Sequence, residues 1–151
     1  MIAPMFRSIV VGTDGSDTAR KAVEEAIDLA KSVGAVVCVV SAYEPVPHAR
    51  LREEARQMPE DLQWMVNPRE EVDATLSDAA DAVREAGVEV EQFAREGDPA
   101  DAILDVAEER GADLIVVGNK GMTGARRFLL GSVPNKVSHH APCSVLIVRT
   151  T

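Results

Sequence analysis

Aromatic residues are almost missing from this chain. One Trp, one Tyr and three Phe make up 3% of 151 positions. A core must therefore be assembled from Val, Ala, Ile and Leu, and the 46% hydrophobic content supplies them. Basic residues are also in deficit, 16 Lys and Arg against 25 Asp and Glu, for a net charge of −9. General nucleic-acid binding wants a basic face, so that class is set aside. Cysteine is scarce: Cys38 and Cys143 fall in or beside apolar runs, without metal-type spacing. Reduced, buried thiols and a reducing cytoplasm are the expectation. No apolar run approaches the roughly 20 residues of a membrane span. The N-terminus, MIAPMFRSIVVG, has no charged region ahead of a signal-type apolar stretch. Neither G-x-x-x-x-G-K-[ST] nor G-x-G-x-x-G occurs. The length fits one domain, residues 1–151, with a core of useful size.

The stretch Leu114 to Val133, LIVVGNKGMTGARRFLLGSV, organises what is present. Leu114-Ile115-Val116-Val117 reads as a strand buried on both faces, as in parallel sheets. Gly118 stops it, Gly121 follows, and Gly131-Ser132 precede a helical pattern. A strand, a glycine-punctuated loop and a helix start are the parts of an anion site. Glycine lets the backbone approach a phosphate, and unpaired N–H groups at a helix start point at it. Lys120, Arg126 and Arg127 set positive charge there against an acidic background. The competing reading is a plain turn with Ser132 as an N-cap.

The rest of the chain alternates between strand and helix. Ile9-Val10-Val11 marks a first strand, followed by Gly12-Thr13-Asp14-Gly15 and Ser16 as the N-cap of a helix. Ala19, Ala22, Val23, Ala26, Ile27 and Ala30 recur at helical spacing up to Gly34, placed as a C′ glycine. Ala35 to Ala42 is a second strand. Tyr43 to Val66, with three prolines and Trp64, reads as a long excursion packed on the body. Val72, Leu76, Ala79, Ala80 and Val83 form the next helical face, up to Gly87. Val88 to Arg95 alternates like an edge strand. Asp98-Pro99 starts a helix that runs to Gly111. A helix from Ser132 to about Ala141 leads, past Pro142, to a last strand, Ser144 to Arg149, with His139 and His140 near the helix end. The predicted fold class is α/β: a five-stranded parallel sheet with helices on both faces. If the order is 3-2-1-4-5, the ends of the first and fourth strands flank the ligand crevice.

Two motifs carry a resemblance. V-V-G-T-D-G-S at Val10 to Ser16 and G-x2-G-x9-G-S at Gly118, Gly121, Gly131 and Ser132 resemble the universal stress protein family, in its ATP-binding branch. The resemblance covers essentially the whole chain. It implies a flavodoxin-like, Rossmann-like three-layer sandwich, and an adenine nucleotide lying across the switch point. Gly12, Thr13 and Asp14 would border the nucleoside. The Asp14 carboxylate would accept from ribose hydroxyls or help to hold a phosphate-bound Mg2+. Ala42 would read the adenine edge through its backbone. Val117 and Gly118 would lie against the ribose. Lys120, Gly121, Gly131, Ser132 and Val133 would cradle phosphate, with the glycines offering N–H groups. Pro134 stands where some members carry a hydroxyl residue, which removes one donor.

The implied activity is that of an ATP-binding stress-response or regulatory protein with slow or no hydrolysis, since no base for water is evident. Three other classes compare less well or stay open. An adenine-nucleotide hydrolase wants a richer Ser/Gly loop than Gly12 to Ser16. A phospho-acceptor receiver wants clustered acids and a lysine after the last strand, and here Asp14 stands alone. A dimeric interaction module with an incidental nucleotide remains open. So does the phosphate count, because a loop that accepts ATP also suits AMP or cyclic AMP. Family members are typically homodimers. Here Ser144 to Arg149 is an apolar edge strand that a second copy would cover.

Overall fold

The period-two pattern of the apolar runs sorts their side chains to two faces. In the computed structural model, which describes residues 6–44, 68–119 and 130–150, both faces are packed. The described elements run β1 (Ser8–Gly12), α1 (Asp17–Val33), β2 (Val36–Tyr43), α2 (Pro68–Glu85), β3 (Val90–Glu96), α3 (Pro99–Glu109), β4 (Leu114–Gly118), α4 (Ser132–His140) and β5 (Ser144–Val148). The strands form one parallel sheet in the order β3-β2-β1-β4-β5. The expected fold class and strand order are therefore observed. Most of the predicted excursion and residues 120–129 of the predicted glycine loop lie outside the described residues.

Ile9 and Val11 of β1, Val37 and Val39 of β2, and Leu114 and Val116 of β4 face one layer, with α1 and α2. Val10, Cys38, Val40, Ile115 and Val117 face the other, with α3 and α4. Each such Val, Leu or Ile side chain contributes about 1.5–3 kcal/mol on burial. The six apolar positions predicted for the inner face of α1 are its buried residues. Ser16 caps that helix through Ala19 N–H at 3.2 Å. Gly34 ends it at φ +74°, in the left-handed region that glycine enters without a Cβ penalty. Asp98 caps α3 through Asp101 N–H, with Pro99 at its start.

Two departures concern ties and edges. Asp113, ahead of β4, accepts from the N–H groups of Arg7 and Ser8 at 2.9–3.1 Å, stapling the entry of β1 to that of β4. The last strand, whose apolar run alone reads as buried although the expected strand order puts it at the edge, has no fully buried residue. Its place at the sheet edge explains this: Val145 and Ile147 pack on the α3–α4 side, while Leu146 on the other side stays 39% exposed.

Candidate functional site

Parallel strands deliver their carboxyl ends to one rim, and the chain leaves β1 and β4 toward opposite faces of the sheet. In open sheets of this kind ligands bind in the crevice between two such exits. On the β1 side, Thr13 N–H donates to the Val40 carbonyl at 2.9 Å and so draws the exit against β2. Thr13 is buried, and its Oγ1 accepts from Gly15 N–H at 3.1 Å. Asp14 is exposed, and its Oδ1 accepts from Ser16 N–H at 2.9 Å. The carboxylate thus braces the turn, while the helix cap itself is Ser16. Gly15 sits at φ +82°, and a Cβ there would stand 3.3 Å from Thr75 Oγ1 on α2.

The β2 end lies beside it. Ser41 is buried and Ala42 half-buried, and the Tyr43 carbonyl accepts from Gly97 N–H at 2.8 Å. Tyr43 is covered by the Arg69 guanidinium, 5.5 Å from the ring centre, and Arg69 also pairs with Asp73. Between this end and the Asp14 turn is a cavity of about 220 Å³ lined by Asp14, Ser41, Ala42, Tyr43, Glu71, Val72 and Thr75. Whole ligands of drug size occupy roughly 300–1,000 Å³, so this space suits one ring system.

On the β4 side, Val117 is buried and Gly118 pairs with Val148. Asn119 follows and is held at both main-chain groups: its N–H donates to Val148 O at 2.8 Å, and its carbonyl accepts from Gly131 N–H at 3.1 Å. Gly131 is the N-cap of α4, with no side-chain cap and no acidic residue in the first turn. A helix start leaves its first N–H groups without intrahelical acceptors. Here the Asn135 N–H goes to Gly131 O, and Pro134 has none to give. The Ser132 and Val133 N–H groups are those left at the rim. The helix is steadied from behind by Lys136, which pairs with Asp101 at 2.8 Å and Asp98 at 3.4 Å. Asp101 first, then Asp98, raise the Lys136 pKa.

Of the sequence-predicted residues, Gly12, Thr13 and Asp14 end or follow β1, Val117 and Gly118 end the neighbouring β4, and Ala42 lies near the end of β2 on the other side of β1. Gly131, Ser132, Val133 and Pro134 close the rim from the α4 side. The N–H that the resemblance assigned to phosphate at Gly131 is already donated to Asn119. Ser132 is the first helical residue and exposed; Gly131 takes the cap position. Lys120, Gly121, Arg126 and Arg127 lie outside the described residues. Sequence reasoning missed Asn119, Thr75 and Thr150. Only Asn119 carried a signal, its place between Gly118 and Gly121.

An anion fits this rim on the structure's own terms, because the α4 start has backbone donors and no side chain capping it. Among the described residues no group of three or more His, Cys, Asp or Glu could hold a metal ion. One carboxylate beside phosphate oxygens is an arrangement that Mg2+ accepts, and Asp14 is placed to be that carboxylate. Among the described residues, no helix is long and apolar enough to cross a membrane.

Comparison with known proteins agrees with this fold. The model of the universal stress protein family matches residues 5–149. A universal stress protein of Mycobacterium tuberculosis is 40% identical over 147 residues, covering 97% of this chain and 98% of that protein. A solved universal stress protein in complex with cAMP is 34% identical, with a TM-score of 0.71 and coverage of 97% and 98% of the two chains. The universal stress protein from Archaeoglobus fulgidus in complex with dAMP is 29% identical, with a TM-score of 0.67 and coverage of 96% and 99%.

Proposed function

This chain belongs to the universal stress protein family, and we propose that it is an ATP-binding regulatory protein of the stress response, with slow or no hydrolysis. The observation that carries the reading is the start of α4: a buried glycine N-cap without a side-chain partner, tied to Asn119 just after β4, the strand that neighbours β1 in the sheet. In this reading the Ser132 and Val133 N–H groups, with Lys120 and Gly121 of the intervening loop, receive the phosphates. Gly118 and Val117 border the ribose, and the small Gly118 leaves room for it. Gly12, Thr13 and Asp14 hold the nucleoside from the β1 side, with Asp14 accepting from ribose or joining a phosphate-bound Mg2+. The cavity at Ala42 takes the base, and the Ala42 backbone reads its edge. Pro134 donates nothing. The relatives in complex with cAMP and dAMP support an adenine ligand and favour a second reading, in which a monophosphate or cyclic nucleotide is the physiological partner. The protein then acts as a nucleotide sensor.

The edge strand β5, with exposed Leu146, supports a homodimer that pairs or packs this strand across a two-fold axis. The free thiols Cys38 and Cys143 suit a reducing compartment such as the cytoplasm.

Mass spectrometry of the nucleotide that co-purifies with the protein identifies the ligand, and calorimetry tests the site. Gly131 has φ −63°, which any residue adopts, so Gly131→Val probes space and not backbone strain. It should weaken ATP at least about tenfold, ~1.4 kcal/mol, with circular dichroism unchanged. Asp14→Ala should weaken binding while leaving turnover per bound nucleotide nearly the same. Unaltered affinity in both variants would sink the assignment. Loss of turnover by orders of magnitude in Asp14→Ala at saturating ATP would make this an enzyme.

A further inference from the structure

Resting on the nucleotide reading above, we infer that Asn119, locked by Thr150 and Lys21, is a positioning residue for phosphate recognition, and that the segment after β5 is thereby part of the nucleotide site. Asn119 Oδ1 accepts from both Thr150 N–H and Thr150 Oγ1–H, each at 2.9 Å. Thr150 is 4% exposed, so neither donor has water to fall back on. Its carbonyl in turn accepts from Lys21 Nζ on α1 at 3.1 Å. With its two main-chain bonds, to Val148 and Gly131, Asn119 is fixed by four hydrogen bonds from three directions.

The geometry gives this lock a consequence at the rim. The bond from Gly131 N–H to Asn119 O joins the chain before and after residues 120–129. It fixes the Gly131 peptide, and so the direction of the Ser132 and Val133 N–H groups that follow. The bonds from Thr150 to the Asn119 side chain tether that residue's Cα; without them the Asn119 backbone is free to shift, and its main-chain carbonyl shifts with it. The first turn of α4 then loses its anchor at the point where phosphate would sit. The side-chain amide touches no nucleotide in this scheme; it holds the peptide that holds the helix start. A side chain with a single acceptor atom meeting two buried donors suits this role, because removing it strands both donors and not merely one contact.

A lock that merely tied down the C-terminus would lower stability and leave ligand discrimination alone. The full chain is titrated by calorimetry with ATP and with adenosine, in wild type, Asn119→Ala, Thr150→Val and Thr150→Ser. Thr150→Val keeps the shape and removes the hydroxyl donor; Thr150→Ser keeps both donors. Asn119→Ala and Thr150→Val should weaken ATP at least about fivefold while adenosine changes less than about twofold, and Thr150→Ser should bind ATP as wild type does. Hydrogen exchange of the Gly131 amide, read against the Val10 amide in the central strand, gives a second measure without ligand. Gly131 should exchange faster in Asn119→Ala and Thr150→Val, and return to the wild-type rate in Thr150→Ser. Equal losses for ATP and adenosine, or ATP affinity untouched in Asn119→Ala, would overturn the inference. If wild type binds no adenine ligand, the nucleotide reading falls. The exchange data still decide whether Asn119 positions Gly131, and an unchanged Gly131 rate refutes it.

Discussion

Gly15→Ala is the substitution for which the structure allows a worked magnitude. The residue stands at φ +82° in the turn that carries Asp14, and a Cβ there would lie 3.3 Å from Thr75 Oγ1 and 3.4 Å from Thr75 Cγ2. Holding an L residue in the left-handed region costs about 1–2 kcal/mol. The stiffer unfolded chain offsets about 0.4–1 kcal/mol of that. Crowding by an added methyl group costs ~1–3 kcal/mol in a packed site, and half-buried Thr75 can yield enough to keep it near the lower end. The net loss is about 1–2 kcal/mol, or about 2–8 °C in Tm for a chain of this length. A double-mutant cycle with Thr75→Ala separates the two causes, because it relieves the crowding and leaves the backbone strained. Thermal denaturation of the four proteins should show a favourable coupling near ~1 kcal/mol, with the double variant still below Thr75→Ala alone. The same turn holds Thr13 Oγ1 to Gly15 N–H and Asp14 Oδ1 to Ser16 N–H, so ATP affinity should fall in Gly15→Ala as well. An unchanged Tm in Gly15→Ala would refute the reasoning outright. Full recovery in the double variant would show that the left-handed backbone is not required.

Two further outcomes are open to direct measurement. Sedimentation at tens of micromolar protein, roughly where a specific interface holds, should give a dimer for wild type and a monomer for Leu146→Lys and Ile147→Lys, with or without ATP; a wild-type monomer refutes the β5 interface. Burial, with a smaller contribution from Glu91, pushes the Cys38 thiol above its ordinary value against the opposing Ser8 and Arg110 contacts. Its stabilising contribution is therefore complete below the unfolded thiol pKa, about 8.5, and is lost as pH rises through the higher folded value. Cys38→Ala should accordingly show a shallower fall in Tm above about pH 8.5 than wild type, and parallel declines would refute this account.

What could be read from the chain alone followed from local periodicity. The spacing of Ala19, Ala22, Val23, Ala26, Ile27 and Ala30 is a property of one helix, and each of those residues is buried. Ser16, Gly34 and Asp98 act within a few residues of themselves, so their capping roles were legible too. The apolar–polar alternation of Val88 to Arg95 pointed to an edge strand, and β3 is one. The reading failed where the partner is remote. Asn119 and Thr150 are 31 residues apart, and Lys21 and Thr150 are 129 apart. Nothing in a local window links an amide to a hydroxyl at that distance. Thr75 looked like one more polar residue on a helix until α2 was laid against the turn at Gly15. The composition of β5 showed an apolar run, and only its position at the edge explains why no residue in it is fully buried.

The location of the Asn119 lock has a physical logic that the fold supplies. At the switch point the chain leaves β1 for the layer of α1 and α2 and leaves β4 for the layer of α3 and α4. The sheet's ladder between β1 and β4 ends at Val11 and Val116, so beyond it backbone pairing no longer sets the width of the crevice. Some other set of bonds must do so if donors on α4 and a carboxylate on the β1 exit are to meet one ligand. Lys21 belongs to the α1 layer, Asn119 extends the sheet and Gly131 opens the α4 layer. Thr150, arriving from the edge strand, joins the first two, and the Asn119 carbonyl joins the third. The network thus crosses all three layers at the place where the ladder stops. A crevice wall built in this way is held by a few hydrogen bonds, each worth about 0.5–1.5 kcal/mol, and not by core packing. Its geometry can accordingly be altered by single polar substitutions that leave the hydrophobic layers, and hence the fold, in place.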